Sequence, residues 1–117
     1  MRIWLLLFTV ILTLSNTPAR AELVYSEMMQ GYEKSPGGTS QLLDNYLTGL
    51  YEGINAANIA YFMQSRRQLF CKPGNLNLNP GDLHKIIRES HETFDPNNDI
   101  PVSSLLFIGL KQTFPCF

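Results

Sequence analysis

The sequence has few of the residues on which catalytic and nucleic-acid-binding proteins depend. Its 117 residues include only two cysteines, two histidines and one tryptophan, and nine basic residues face ten acidic ones. This balance gives no basic surface for nucleic acid or for an anionic membrane. The sequence also has no glycine-rich phosphate loop, and its carboxylates lack a spacing that indicates acid–base chemistry. We therefore expect a protein that is not an enzyme and that uses no metal or cofactor.

The N-terminus has the composition of a secretory signal peptide. Arg2 supplies the positive start, residues 3–14 are apolar except for two threonines, and Ala19 and Ala21 are small residues where a signal peptidase reads the chain. The apolar run has 12 residues, whereas a membrane-spanning helix needs about 20. We expect residues 1–21 to be removed after Ala21, which leaves a periplasmic protein with no membrane attachment.

The product of this cleavage would be one domain, residues 22–117, with seven basic and ten acidic residues and a net charge of −3. Two cysteines in a small exported domain favour a disulfide, so we predict a bond between Cys71 and Cys116. A thiol–imidazole pair of Cys71 with His84 or His91 is the catalytic alternative. The two histidines are seven residues apart, which is too far for them to share one metal ion easily.

Proline, glycine and apolar spacing divide the domain into helices. A short first helix is predicted over residues 22–33, and the proline and two glycines within residues 34–38 interrupt it. Thr39 or Ser40 can cap the second helix, which runs to about Gln64.

The second helix has two distinct faces. The first carries apolar residues at three- and four-residue steps: Leu43, Leu47, Leu50, Ile54, Ala57 and Tyr61. The second carries small residues: Gly49, Gly53, Ala56 and Ala60. Because glycine within a helix costs about 1 kcal/mol relative to alanine, the small face predicts close approach of another helix, with a ligand groove as the alternative.

The third and fourth helices have clear start signals. Asn79 occupies a cap position and Pro80 the first helical position, and the buried stripe is predicted to be Leu83, Ile86, Ile87 and Phe94. After a polar turn at residues 95–99, Pro101 can begin a last helix that is apolar nearly all round and therefore central. The predicted fold class is all-α: a small four-helix domain with one disulfide, preceded by a signal peptide.

Three short motifs point further: Tyr46-Leu47-Thr48-Gly49-Leu50, Phe70-Cys71-Lys72-Pro73 and Phe114-Pro115-Cys116. Together they resemble the Rap/Tai family of type VI secretion amidase immunity proteins, over about residues 42–116. The resemblance implies a small periplasmic helical protein, often dimeric, that binds a secreted peptidoglycan-cleaving amidase and occludes its active site. Many relatives carry two further cysteines, at places that here hold residues near Met29 and Leu43, both apolar.

A blocking protein needs a rigid scaffold and a loop that enters a cleft, and two loops are candidates. They are residues 75–81 and 95–100, whose amide side chains can both donate and accept hydrogen bonds. The candidate partner-binding residues are Asn75, Asn77, Asn79, Asn97, Asn98 and Asp99. Ordinary polar connections between helices are the alternative interpretation.

Two other function classes stay open. A periplasmic acid-stress chaperone would also be small, helical, dimeric and disulfide-bonded, and its ten carboxylates would lose their charge in acid. A hydrolase would need convergent polar groups, which the spacing of the residues does not indicate.

Overall fold

The computed structural model describes residues 22–117 and shows four α-helices. They are α1, Tyr25–Lys34; α2, Gln41–Ser65; α3, Pro80–Phe94; and α4, Val102–Thr113, with a short 3-10 turn at Pro36–Gly38. The all-α, four-helix prediction is confirmed. The signal peptide predicted for residues 1–21 lies outside the described part, and no helix within that part is long and apolar enough to cross a membrane.

The predicted start signals of α2 and α3 form real caps. The Ser40 hydroxyl accepts a hydrogen bond from the Leu43 N–H at 3.2 Å. The Asn79 side chain accepts from the Asp82 N–H at 2.9 Å, and the Asp82 carboxylate accepts from the Asn79 N–H at 3.0 Å. These bonds satisfy N–H groups that have no partner within the helix, so each cap fixes where its helix begins.

The core lies mainly between α3 and α4. The fully buried apolar side chains are Met28, Leu47, Phe70, Leu83, Ile87, Val102, Leu105, Leu106 and Leu110. The two helices pack tightly at Gly109, where a β-carbon would lie 2.5 Å from Cγ2 of Ile86 and 3.1 Å from its carbonyl oxygen. The position favours glycine because a side chain would clash with the Ile86 methyl group and crowd the Ile86 carbonyl of α3.

Two sequence predictions about packing are wrong. The small face of α2 meets no other helix of residues 22–117, because Gly49 and Gly53 are exposed and no atom of that part of the chain lies within 4 Å of a β-carbon built on either. Phe94 is 49% exposed rather than buried. It is the last residue of α3 and lies beyond the apolar layer that α4 covers.

The start of the described chain is tied to the beginning of α4. The Val102 N–H donates to the Leu23 carbonyl at 2.8 Å, and the Tyr25 N–H donates to the Ile100 carbonyl at 3.0 Å. These bonds place α1 beside the α3–α4 connection, and they let Met28 enter the core.

Candidate partner-binding site

The predicted disulfide between Cys71 and Cys116 is present, with the two Cα atoms 5.1 Å apart. It ties the segment after α2 to the last residues of the chain, and a backbone hydrogen bond of 2.8 Å from the Cys71 N–H to the Phe114 carbonyl reinforces the junction. Since both sulfurs are in the bond, Cys71 has no free thiol for a thiol–imidazole pair.

A buried amide clamps the same segment from the other side. Asn58, on α2, is only 7% exposed. Its Oδ1 accepts from the Leu69 N–H at 2.6 Å and from the Phe70 N–H at 3.4 Å, and its Nδ2 donates to the Phe70 carbonyl at 2.9 Å. Sequence reasoning missed this residue, although it follows Ile54 by four residues on the apolar face and was therefore a polar side chain in a buried position.

The clamp and the disulfide hold one end of a loop that we call the asparagine loop, residues 72–79. The Leu76 N–H donates to the Pro73 carbonyl at 3.1 Å, which closes a turn. The Lys72 ammonium donates hydrogen bonds to the carbonyls of Pro73 and Leu76, which stabilises that turn. At the other end, Asn79 caps α3. Both ends are therefore fixed, and the tip carries its own internal bonds.

The tip of the asparagine loop presents Asn75, Leu76 and Asn77 to solvent. Leu76 is 38% exposed, and within residues 22–117 the side chains of Asn75 and Asn77 make no hydrogen bond. Beside the tip lies a shallow groove of about 240 Å³ whose apolar lining includes Leu76, Leu78, Ile86 and Phe114. The loop thus offers two unpaired amides around a partly exposed apolar side chain.

The second predicted loop uses its polar groups within the fold. Asp99 accepts from the Ser26 N–H at 2.9 Å and from the Ser26 hydroxyl at 2.6 Å, which lowers the pKa of its carboxyl. Asn98 donates to the Asp95 carboxylate at 2.7 Å, and its carbonyl lies 3.0 Å from Nε2 of His91. Only Asn97 is exposed with no side-chain hydrogen bond in the described chain.

The two loops do not converge. They lie at opposite ends of α3, whose 15 residues separate them by about 21 Å. One narrow cleft in a partner therefore receives one loop and not both.

The histidines of α3 are half-buried, and each contacts a tyrosine of α1. His91 stacks on Tyr25 with ring centroids 3.8 Å apart, and His84 lies at 4.8 Å from Tyr32. Burial, and then the charge of Arg88, lower the pKa of His84. Among the described residues, no group of three or more metal-ligating side chains is present.

His84 borders a cavity of about 220 Å³ next to Tyr32 and Asp44. The Tyr32 hydroxyl donates to the Asp44 carboxylate at 2.8 Å, and burial together with that bond raises the pKa of Tyr32. Nε2 of His84 is buried with no hydrogen-bond partner in residues 22–117. His84 packs against Tyr32 of α1, and Tyr32 in turn bonds to Asp44 of α2, so the cluster joins three helices.

Comparisons of the chain with models of protein families, with curated proteins and with solved structures found no match.

Proposed function

We propose that this protein is a periplasmic immunity protein, which binds a peptidoglycan-cleaving amidase delivered by type VI secretion and occludes its active site. The observation that carries the proposal is the asparagine loop, a short exposed segment fixed at both ends. The three motifs of the sequence support the same role, and two of them form the disulfide junction at which this loop begins.

The loop is suited to blocking an active site because its backbone conformation is already fixed before it binds a partner. Binding a flexible segment costs about 0.5–1.5 kcal/mol for each side chain that becomes immobile, and fixing the backbone in advance removes part of the cost. The disulfide, the Lys72 bonds and the Asn79 cap supply that order here. An inhibitor of this kind needs no catalytic group, metal or cofactor of its own.

The chemistry of the tip fits a polar cleft with an apolar floor. Asn75 and Asn77 can donate to and accept from backbone and side-chain groups of a partner, while Leu76 between them fills an apolar recess. We assign partner contact to these three residues. Asn79, Asn98 and Asp99 are assigned to holding the fold, since their side chains already bond to neighbours.

The proposal is tested with a double Asn75→Ala, Asn77→Ala variant and a matched Asn97→Ala variant. All three asparagines are exposed and lack side-chain hydrogen bonds in the described chain, so neither variant should change the melting temperature. Affinity for a secreted amidase recovered from the same strain is measured by titration calorimetry. The double variant should bind at least tenfold more weakly and Asn97→Ala should bind normally. Equal affinities for all three proteins would exclude the asparagine loop as the blocking element.

A second candidate, an acid-stress chaperone, is favoured by the exposed apolar residues Ile59, Tyr61, Phe62 and Met63 near the end of α2. A chaperone would suppress the light scattering of several unrelated aggregating proteins at low pH. An immunity protein would have no such effect and would silence one enzyme at neutral pH.

A further inference from the structure

The C-terminal end of α2 exposes apolar side chains in several directions around the helix. Every residue from Ile59 to Gln68 is exposed. The large apolar side chains among them are Ile59, 53% exposed, Tyr61, 40%, Phe62, 38%, and Met63, 70%. Because successive residues of an α-helix are about 100° apart, Tyr61 and Met63 lie on nearly opposite sides. A helix end that faces water on all sides is normally polar, and a continuous exposed apolar surface marks a site of contact.

Two arginines follow this apolar segment directly. Arg66 is the C-cap residue of α2 and Arg67 comes next; both side chains are exposed, and neither forms an ion pair within residues 22–117. Arg66 has a left-handed backbone with φ of 62°, a conformation in which glycine is the usual residue at a helix end. An arginine in this position is held at an energetic cost, which points to a role for its side chain. We call Ile59, Phe62, Met63, Arg66 and Arg67 the α2 tip.

Charge is unevenly distributed along the domain. Residues 22–52 and 82–99 contain all ten carboxylate side chains and three of the seven basic residues. Residues 53–81 and 100–117 contain no carboxylate side chain and the other four basic residues, which are Arg66, Arg67, Lys72 and Lys111. The disulfide joins these two carboxylate-free segments. The overall charge balance predicted no basic surface because it averages an acidic part of the fold with a basic one.

The arginines border a place for an anionic group. A depression of about 390 Å³ lies beside the disulfide, and Phe62, Arg66, Arg67 and Gln68 contribute to its lining. Guanidinium groups bind phosphate through paired hydrogen bonds. The nearest carboxylate on α2 belongs to Glu52, about 21 Å from Arg66 along the helix axis, and this distance exceeds the screening length of about 8 Å in physiological salt.

From this arrangement we infer that the α2 tip binds the surface of a membrane that contains anionic phospholipids. Ile59, Phe62 and Met63 enter the headgroup region, and Arg66 and Arg67 bind the lipid phosphates. A protein that grips a helix in a groove covers one apolar face of it, whereas apolar side chains all round a helix end fit a lipid surface better. The contact is peripheral and needs no membrane-spanning helix. The inference is independent of the proposed immunity role, since the asparagine loop is a different segment.

The first test measures binding to lipid vesicles by co-sedimentation. One vesicle is phosphatidylcholine alone, and the other contains equal parts of phosphatidylglycerol and phosphatidylcholine. Each protein is produced from the full 117-residue sequence, and mass spectrometry shows that all variants begin at the same residue. Wild type should bind the anionic vesicles at least tenfold more tightly than the neutral ones. Failure to bind anionic vesicles would overturn the inference.

A charge-matched pair of variants locates the contact. The double variant Arg66→Gln, Arg67→Gln should bind anionic vesicles at least tenfold more weakly, because each cation near such a surface strengthens binding about fivefold. The control is Lys85→Gln, Arg88→Gln, which removes two exposed cations from α3 and gives the same net charge. It should bind like wild type. Equal weakening of both double variants would show that only net charge matters and would overturn the assignment to the α2 tip.

The second test reports whether the apolar side chains enter the lipid. The only tryptophan of the sequence is Trp4, and where mass spectrometry shows that it is retained, Trp4→Phe is added to each variant. Fluorescence of Met63→Trp should shift to shorter wavelengths when anionic vesicles are added. Leu42→Trp, an exposed position at the other end of α2, should not shift. Equal shifts, or no shift at Met63, would contradict insertion of the tip.

A protein contact at the same place gives a different result. If the double variant Arg66→Gln, Arg67→Gln lost affinity for a secreted amidase while wild type ignored both kinds of vesicle, the α2 tip would be a protein-binding surface and the membrane inference would be wrong. Vesicle binding with unchanged amidase affinity would support the inference and leave the immunity role to its own test.

Discussion

Replacing Asn58 by alanine should destabilise the domain by about 3 kcal/mol. The two shorter bonds of its side chain, 2.6 and 2.9 Å, each contribute about 1 kcal/mol. Their loss also leaves the buried Phe70 carbonyl without a partner, at about 1–3 kcal/mol, whereas the Leu69 N–H belongs to a half-buried residue and costs less. Alanine recovers about 0.5 kcal/mol through its higher helix propensity. Since a domain of this size has a stability of about 5–15 kcal/mol, the loss is a substantial fraction of the total.

Urea unfolding followed by far-ultraviolet circular dichroism measures this effect, with the disulfide kept oxidised. The control is Asn55→Ala on the same helix, a half-buried residue whose side chain has no hydrogen bond in the described chain. It should change the free energy of unfolding by less than about 0.5 kcal/mol. The melting temperature of Asn58→Ala should fall by about 10–25 °C. If Asn58→Ala lowered the free energy of unfolding by less than about 1 kcal/mol, close to the effect of the control, Asn58 would not hold residues 69 and 70 as proposed.

Three further predictions concern stability. Replacing Cys71 and Cys116 together by serine should lower the free energy of unfolding by about 4 kcal/mol, because the bond closes a 45-residue separation, and urea midpoints measure this. Gly109→Ala should lower the free energy of unfolding by about 2 kcal/mol, because the new methyl group clashes with α3. Gly49→Ala should raise it by about 1 kcal/mol, because the position is open and alanine favours the helix. Thermal unfolding measures both changes. Because the pKa of His84 is lowered in the folded state, its stabilising contribution is complete above pH 6.5 and is lost as the pH falls below that value. His84→Gln should therefore flatten the decline in the free energy of unfolding below pH 6.5.

Helix existence and helix starts could be predicted from sequence because their causes are local. The caps at Ser40 and Asn79 involve groups only three residues apart, so the sequence contains both partners of each bond. The start of α4 differs by one residue, since Pro101 occupies the cap position and the helix begins at Val102.

Packing could not be predicted equally well because it depends on which faces meet. Gly49 and Gly53 of α2 suggested a close helix contact, but the close contact lies at Gly109 of α4. Gly109 lies within a run of apolar residues, so its spacing gave no separate signal. Periodicity places residues on a face and does not say which element covers that face. For the same reason, periodicity placed Phe94 on the buried stripe of α3, whereas the structure leaves this last residue of the helix 49% exposed.

The sequence identified the two candidate loops, but it did not show which of their polar side chains are free to contact a partner and which hold the fold. Six polar residues in two loops looked equivalent in the sequence. The structure separates them, because Asp99 bonds to Ser26, 73 residues away, and no local pattern contains such a pair. Asn75 and Asn77 remain predictions for partner contact, and Asn58 enters the account as the residue that positions their loop.

The most direct test of the account is a pull-down with the oxidised, purified protein from the periplasmic and secreted fractions of the same strain and its close relatives, with bound material identified by mass. The immunity role predicts one tight, stoichiometric partner that cleaves peptidoglycan and loses its activity when this protein is added. Several weak partners, or binding that begins only when the pH is lowered, would contradict the immunity role and favour a chaperone.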